Sequence, residues 1–203
     1  MACFVFGAGG FYGLPVVPKK GDLVIAADGG WTVCHQLGIV PDLLIGDFDS
    51  LMEVPAFDRI RRVPVEKDDT DMMLAVKEGL SNGETIFHLY GGMGGPRTDH
   101  TIANLQTLAY LAARGARGYL YGDREIFTAL RNGSMTWPER DEGILSVFCM
   151  GPDARSVTIQ GGQYQVENIT LTADFPLGVS NHFVGRPITV SVENGTLLIG
   201  IHE

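Results

Sequence analysis

Acidic side chains stand just after apolar runs in the first half of the sequence. Asp47 and Asp49 are two residues apart in "GDFDS", directly after the apolar run "LLI". Two carboxylates this close repel each other. A loop at the end of a strand can aim both at one point, where a divalent cation offsets the repulsion. The pair therefore predicts a metal site.

Three further clusters repeat the arrangement: Asp28 in "AADGG", Asp71 in "EKDDTD" and Asp99 in "GGPRTDH". In an open parallel sheet, ligands bind outside the carboxyl ends of the strands, so loops distant in sequence converge there. Taken alone, each aspartate is equally well explained as a helix cap or a turn residue. Together they predict one cleft with a bound Mg²⁺, whose octahedral oxygen preference fits two or three carboxylates plus water and phosphate.

Short apolar runs that alternate with helix-like stretches must position these side chains. Helices are predicted in "TDMMLAVKEGL", capped by Thr70, and in "TDHTIANLQTLAYLAARGA", capped by Thr98 and stopped by Gly115. Before, between and after these helices, strands are predicted in "CFVF", "LVIAA", "LLIG", "RVPV", "IFHLY" and "GYLYG". This alternation predicts an α/β N-terminal domain with a mostly parallel sheet.

The sequence becomes rich in short β-type runs after about Asp123. These runs include "EIFTAL", "GILSVFCM", "SVTIQ" and "NITLTA", and "VENGTLL" carries the Asn-Gly signal of a β-hairpin. We therefore predict an α/β nucleotide- and metal-binding domain at residues 1–125 and a small all-β domain at residues 126–203.

Two glycine-rich segments could each bind phosphate. In "GGMGGPR", Gly94, Gly95 and Arg97 follow a predicted strand and precede a predicted helix, where free backbone N–H groups bind anions; a plain strand-to-helix turn is the alternative. The segment lacks the Gly-Lys-Ser/Thr ending of a P-loop, so Arg97 would supply the positive charge. In "FGAGGFYG" the glycine spacing is one residue too long for a dinucleotide fold, and Pro15 and Pro18 oppose the required helix.

The composition limits the partners of the chain. With a formal charge of −9 over 203 residues, the chain is unsuited to nucleic acid, which draws on lysine and arginine for affinity. Cys3, Cys34 and Cys149 are widely separated and are expected to be buried thiols. We find neither a basic leader nor an apolar segment long enough to cross a membrane, so the cytoplasm is the expected location.

Five segments in a fixed order resemble the thiamine pyrophosphokinase family. They are "DGGW", "PDLLIGDFDS", "EKDDTDMMLAV", "GGMGGPRTDHTIANL" and "GVSNHF", and the likeness runs from about residue 25 to the C-terminus. The resemblance implies an N-terminal α/β domain, a C-terminal β-sandwich and a homodimer. It also implies the Mg²⁺-dependent transfer of a pyrophosphoryl group from ATP to the hydroxyethyl group of thiamine, giving thiamine diphosphate and AMP.

The resemblance assigns roles to individual residues. Asp47, Asp49 and Asp71 match metal-site aspartates, and Asp28 matches the carboxylate of the family's "DGG" segment at the cleft. Arg97 would face phosphate and Asp99 would face thiamine. Ser180 and Asn181 match a loop that reaches the substrate, with a contribution across the dimer expected.

The same reading leaves the proton acceptor and some contacts open. Phosphoryl transfer needs mainly positioning and charge neutralisation, so Arg97 or Lys67 would offset developing charge, and Asp99 or Asp71 would deprotonate the alcohol. The family usually has a glutamate where this chain has His182.

Three alternative functions stay open. They are transfer to another small alcohol, such as a hydroxymethyl pterin, a nucleotide-binding regulatory module without turnover, and a dinucleotide-dependent oxidoreductase.

Overall fold

The computed structural model describes residues 1–48, 57–64, 66 and 68–203 of the chain. They form two compact units, the first made of residues 1–104 and 118–123 and the second of residues 105–117 and 124–203. The division of the chain after residue 125 stays a prediction about its domains.

A parallel sheet forms the first unit. Its strands are β1 (Cys3–Phe6), β2 (Leu23–Ala27), β3 (Leu43–Gly46), β4 (Ile60–Arg62), β5 (Ile86–Tyr90) and β6 (Arg117–Tyr121), in the order β6-β5-β1-β2-β3-β4. The pairs β1–β2, β1–β5, β2–β3 and β3–β4 are all parallel. The predicted mostly parallel sheet is confirmed. β4 ends before Pro64 instead of running through it, because proline has no N–H to donate to a sheet.

Helices connect these strands: α1 (Gly30–Gln36), α2 (Asp71–Ser81) and α3 (Thr98–Ala112). The predicted cap of α2 is confirmed, since the backbone N–H of Met73 donates to Thr70 Oγ1 over 3.1 Å. The buried face of α2 holds Met72, Ala75, Val76 and Gly79. The sequence analysis did not identify α1, which is only seven residues long. No helix in the described part of the chain is both long and apolar enough to span a membrane.

The second unit contains an antiparallel β-sandwich. Its strands are β7 (Glu125–Trp137), β8 (Ile144–Cys149), β9 (Asp153–Gln160), β10 (Val166–Thr172), β11 (Gly178–His182) and β12 (Ile188–His202). The first part of β12 pairs with β9 and the last part with β8, while β7 runs beside both parts. The core between the layers includes Leu145, Val157, Ile188, Val190 and Leu197, and each is almost fully buried. The predicted β-rich second half is confirmed.

The hairpin predicted at "VENGTLL" is wrong. β12 continues through Asn194 and Gly195, with a register shift between Val192 and Thr196. Asn132 in β7 has a positive φ of 45°, and its side chain accepts a hydrogen bond from the Gly195 N–H. The register shift is therefore a bulge at the Asn-Gly pairs of β7 and β12, and β12 stays paired with β7 on both sides of it.

Gly79 packs α2 against the sheet without room for a side chain. A methyl group there would come within 2.6 Å of the Phe87 ring and 2.8 Å of Cys3 Sγ. We expect Gly79→Ala to lower the free energy of unfolding by about 1–3 kcal/mol, because overpacking outweighs the gain in helix propensity. Urea unfolding measures the change. Ser81→Ala, on the exposed end of the same helix, is the control; a Gly79→Ala protein that is more stable than wild type contradicts the packing argument.

Candidate functional site

A cavity of about 360 Å³ opens at the carboxyl ends of the strands in the first unit. Its walls come from the ends of β1, β2 and β5 and from the starts of α2 and α3. The lining residues are Gly7, Ala8, Gly9, Ala27, Thr70, Asp71, Met72, Gly91, Gly92, Gly94, Pro96, Arg97, His100 and Asn104. The cavity is therefore where the sheet topology predicts a ligand.

Two glycine-rich loops form one wall of this cavity by direct backbone pairing. The N–H of Gly9 donates to Gly91 O over 2.8 Å, and the N–H of Gly10 donates to Met93 O over 2.9 Å. A methyl group on Gly7 would lie 2.8 Å from Gly91 O, and one on Gly91 would collide with the Gly7 carbonyl. Backbones this close leave no space for Cβ atoms.

The chain after β5 takes conformations that glycine adopts readily. Gly91, Gly94 and Gly95 have φ values of 65°, 67° and 86°. Of the two predicted phosphate-binding glycines, Gly94 lines the cavity, whereas Gly95 does not.

Arg97 and Asp99 form an ion pair at the mouth of the cavity. Arg97 Nη2 lies 2.6 Å from Asp99 Oδ2, and both side chains are 64% exposed. The hydrogen bond from Arg97 holds the pKa of Asp99 below its ordinary value. An exposed pair of this kind contributes little to stability, because water and salt screen it. Arg97 lines the cavity and Asp99 does not.

Two of the three predicted metal-site carboxylates, those of Asp47 and Asp71, belong to residues at or near this edge of the sheet. Asp71 lines the cavity. Asp28 follows β2 and Asp47 follows its neighbour β3; the Asp28 N–H donates to Ile45 O over 2.7 Å, and a Cβ on Gly46 would be 3.0 Å from Asp28 Cα. Asp49, the third predicted ligand, lies outside the described residues, as does Lys67. Within the described ranges no three acidic, histidine or cysteine side chains are grouped closely enough to hold a metal ion.

One aspartate of the "EKDDTD" segment serves a different purpose. Both carboxylate oxygens of Asp69 accept from Lys77 Nζ, over 2.8 and 2.6 Å, on the outside of α2. Asp69 does not line the cavity, whereas Asp71, two residues later, does.

Comparison with known proteins identifies the family of this chain. The family model described as thiamin pyrophosphokinase, catalytic domain, matches residues 15–120, which is more than half of the 203 residues. The chain belongs to the thiamine pyrophosphokinase family. A second model of the same family, described as the vitamin B1 binding domain, matches residues 136–197.

Individual relatives agree with this family. The thiamine pyrophosphokinase of Bacillus subtilis (strain 168) is 28% identical over 185 residues, which cover 87% of this chain and 86% of the relative. The crystal structure of thiamine pyrophosphokinase from Bacillus subtilis superposes with a TM-score of 0.87 at 25% identity and covers 98% of each chain. Thiamin pyrophosphokinase from Candida albicans shares the fold, with a TM-score of 0.77 at 14% identity, over 99% of this chain and 89% of the other.

Ser180 and Asn181, the predicted substrate-binding pair, lie on β11 of the second unit. The Asn181 side chain is 4% exposed. Its Oδ1 accepts from the Tyr164 N–H over 2.9 Å, and its Nδ2 donates to Tyr164 O over 2.7 Å. Asn181 therefore fixes the backbone of a neighbouring loop. Ser180 is exposed, with a positive φ of 62°.

Sequence reasoning missed Asn104 and the loop of residues 7–10. Arg97, His100 and Asn104 all line the cavity, and their spacing of three and four residues places them on one side of the start of α3. That spacing was a usable signal for Asn104. The glycines of residues 7–10 were compared only with the spacing of a dinucleotide-binding motif. The pairing of this loop with a second glycine loop cannot be predicted from the spacing of the glycines in either loop.

The bonds of Asn181 predict a measurable loss of stability. We expect Asn181→Ala to lower the free energy of unfolding by about 2 kcal/mol, because it removes two hydrogen bonds from a buried amide. Gln163→Ala, an exposed change in the same loop, should alter it by no more than about 0.5 kcal/mol. Urea unfolding of both variants decides the point, and equal stabilities would show that Asn181 does not hold the loop.

Proposed function

We propose that the cavity at the carboxyl end of the parallel sheet is where this chain transfers a pyrophosphoryl group from ATP to the hydroxyethyl group of thiamine. Membership of the thiamine pyrophosphokinase family supports the reaction. The observation that carries the assignment to this cavity is that Arg97 and Asp71 line a single cavity walled by two glycine loops. The products are thiamine diphosphate and AMP.

The reaction asks for positioning more than for a strong nucleophile. The hydroxyl oxygen of thiamine attacks the β-phosphorus of ATP, the bond from that phosphorus to the α,β-bridging oxygen breaks, and AMP leaves. We assign Arg97 to the phosphates, since its guanidinium is exposed at the cavity and its bond to Asp99 is easily exchanged. Gly94 and Gly95 would contribute backbone contacts, and Lys67 further positive charge.

The proton of the hydroxyl group needs an acceptor. The pKa of Asp99 is lowered by Arg97, which makes Asp99 a weaker base in the ligand-free protein. We propose Asp71 or Asp99 as the acceptor: Asp71 lines the cavity, and Asp99 becomes a stronger base once Arg97 binds phosphate instead. Asp99 keeps its proposed role toward thiamine, together with Ser180, while Asn181 shapes the loop beside Ser180.

Mg²⁺ is the cation that suits this set of residues. Carboxylate oxygens are the ligands that it takes from proteins, and the edge of the sheet offers Asp47 and Asp71, with Asp28 adjacent. We propose Asp47, Asp49 and Asp71 as its ligands. When bound, Mg²⁺ would neutralise charge on the phosphates.

We also propose that the chain forms a homodimer in the cytoplasm. The family resemblance supports the dimer, and the second unit exposes the apolar side chains of Phe175, Leu177 and Val179 to 63%, 55% and 41%. Cys3, Cys34 and Cys149 are free and buried, as predicted, which suits a reducing compartment.

The reaction is tested by its products. With thiamine, ATP and Mg²⁺, the purified protein should release AMP and form thiamine diphosphate in equal amounts, and chelation of Mg²⁺ should stop both. A hydroxymethyl pterin offered in place of thiamine should give no AMP. Release of ADP, or turnover of the pterin alone, would refute the proposed reaction.

Asp71 and Asp69 offer a matched pair of variants on the same segment. We expect Asp71→Asn to lower kcat/KM by at least about a hundredfold, because it removes a negative oxygen from the cavity while keeping the shape of the side chain. Asp69→Asn, which alters the Lys77 pair outside the cavity, should stay within about threefold of wild type. An Asp71→Asn protein as active as Asp69→Asn would exclude Asp71 from the site.

The dimer is tested by mixing two inactive chains. Asp99→Ala and Ser180→Ala carry their changes in different units, so heterodimers should contain one site with both residues intact if a site draws on both protomers. Partial recovery of activity on mixing is expected. A protein that stays monomeric in sedimentation at assay concentration contradicts the dimer, and mixtures with proven subunit exchange but no recovery contradict a shared site.

A further inference from the structure

Three successive backbone carbonyls after β5 are each held by a hydrogen-bond donor. Gly91 O accepts from the Gly9 N–H over 2.8 Å, and Met93 O accepts from the Gly10 N–H over 2.9 Å. Gly92 O, between them, accepts from Asn104 Nδ2 over 2.7 Å. Two of these donors thus come from the neighbouring glycine loop, and the middle donor is a side chain of α3.

The orientation of these carbonyls matters for an anion. A carbonyl oxygen carries partial negative charge and repels phosphate when it faces the ligand. In a trans peptide the C=O and the following N–H point in opposite directions, so a donor that holds the carbonyl also fixes where the N–H points. The donors therefore set the direction of the N–H groups of Gly92, Met93 and Gly94.

A buried asparagine at position 104 is less favourable than an apolar residue would be if the position served packing alone. Its side chain is 5% exposed and lies near apolar groups, since the position that a Cβ on Gly92 would take is 2.6 Å from Leu120 Cδ1 and 3.1 Å from Asn104 Nδ2. Burying an amide costs free energy that a leucine would not incur. Asn104 also lines the cavity next to the carbonyl that it holds.

We propose that Asn104 is a positioning residue for nucleotide binding: it occupies the carbonyl oxygen of Gly92, which would otherwise repel phosphate, and fixes the peptide that joins Gly92 to Met93. This inference rests on the proposed function, because it takes the ligand of the cavity to be a polyphosphate. Asn104 acts through the peptide between Gly92 and Met93 and needs no contact with thiamine. Its effect therefore falls on ATP and on inorganic tripolyphosphate alike.

The test compares Asn104→Asp with Asn82→Asp. An ionised aspartate has the shape of asparagine but cannot donate to a carbonyl. The Asn82 side chain donates to Glu78 O over 2.9 Å at the exposed end of α2, away from the cavity. We expect Asn104→Asp to raise the KM for ATP and the inhibition constant of tripolyphosphate at least about tenfold. The KM for thiamine and kcat should change by less than about threefold, and Asn82→Asp should change nothing. Asn104→Ser, which keeps a hydroxyl donor and adds no charge, should be impaired less than Asn104→Asp.

A measurement on the wild-type protein covers the case in which the variants do not fold. The side-chain amide protons of Asn104 should exchange slowly with solvent, as seen by ¹⁵N NMR, both without ligand and with bound tripolyphosphate. Fast exchange in the bound protein, or variants with normal tripolyphosphate inhibition, would overturn the inference. Absence of AMP production by the wild-type protein would instead refute the proposed function. The role of Asn104 would then still be tested by comparing tripolyphosphate binding of the wild-type protein and the Asn104 variants.

Discussion

The backbone of the chain after β1 touches the backbone after β5, and the site depends on this contact. Gly7 and Gly91 are so close that a Cβ on either would collide with the carbonyl of the other. β1 and β5 are neighbouring parallel strands, so their carboxyl ends already lie together. Only residues without side chains let the two loops continue as a pair beyond the sheet. The part of the cavity wall that these two loops form is therefore mainly backbone, whose N–H groups suit an extended polar ligand such as a polyphosphate.

The charged side chains at this edge of the sheet can exchange their present partners for a ligand or a cation. The protein has a net charge of −9, and acidic residues follow β2 and β3 and begin α2. An anionic ligand would be repelled here unless cations accompany it. Arg97 supplies one positive charge, at present shared with Asp99, and metal-bound ATP would bring more. The acidic residues at this edge thus support the proposed need for Mg²⁺.

Sequence patterns predicted the parts of the fold that local chemistry determines. The hydrophobic pattern predicted the buried strands β1, β2 and β3, and therefore also which acidic residues follow a strand. Capping rules predicted Thr70 as the cap of α2. The predictions failed where contacts with residues distant in sequence determine the local structure. Asn194-Gly195 has the residues of a hairpin turn, but pairing along the whole of β7 holds β12 as one bent strand. The roles of Asn104 and Asn181 likewise depend on the carbonyls and N–H groups that folding brings to them.

We propose that the paired glycine loops bind the phosphates of ATP. Backbone hydrogen exchange, measured with and without Mg²⁺ and a non-hydrolysable ATP analogue, is a direct test of this binding. We expect slower exchange on binding in residues 7–10 and 91–97, with little change in the cavity formed by residues 40–42 and 57–59. Unchanged exchange in both glycine loops, with protection confined to residues 40–42 and 57–59, would contradict it.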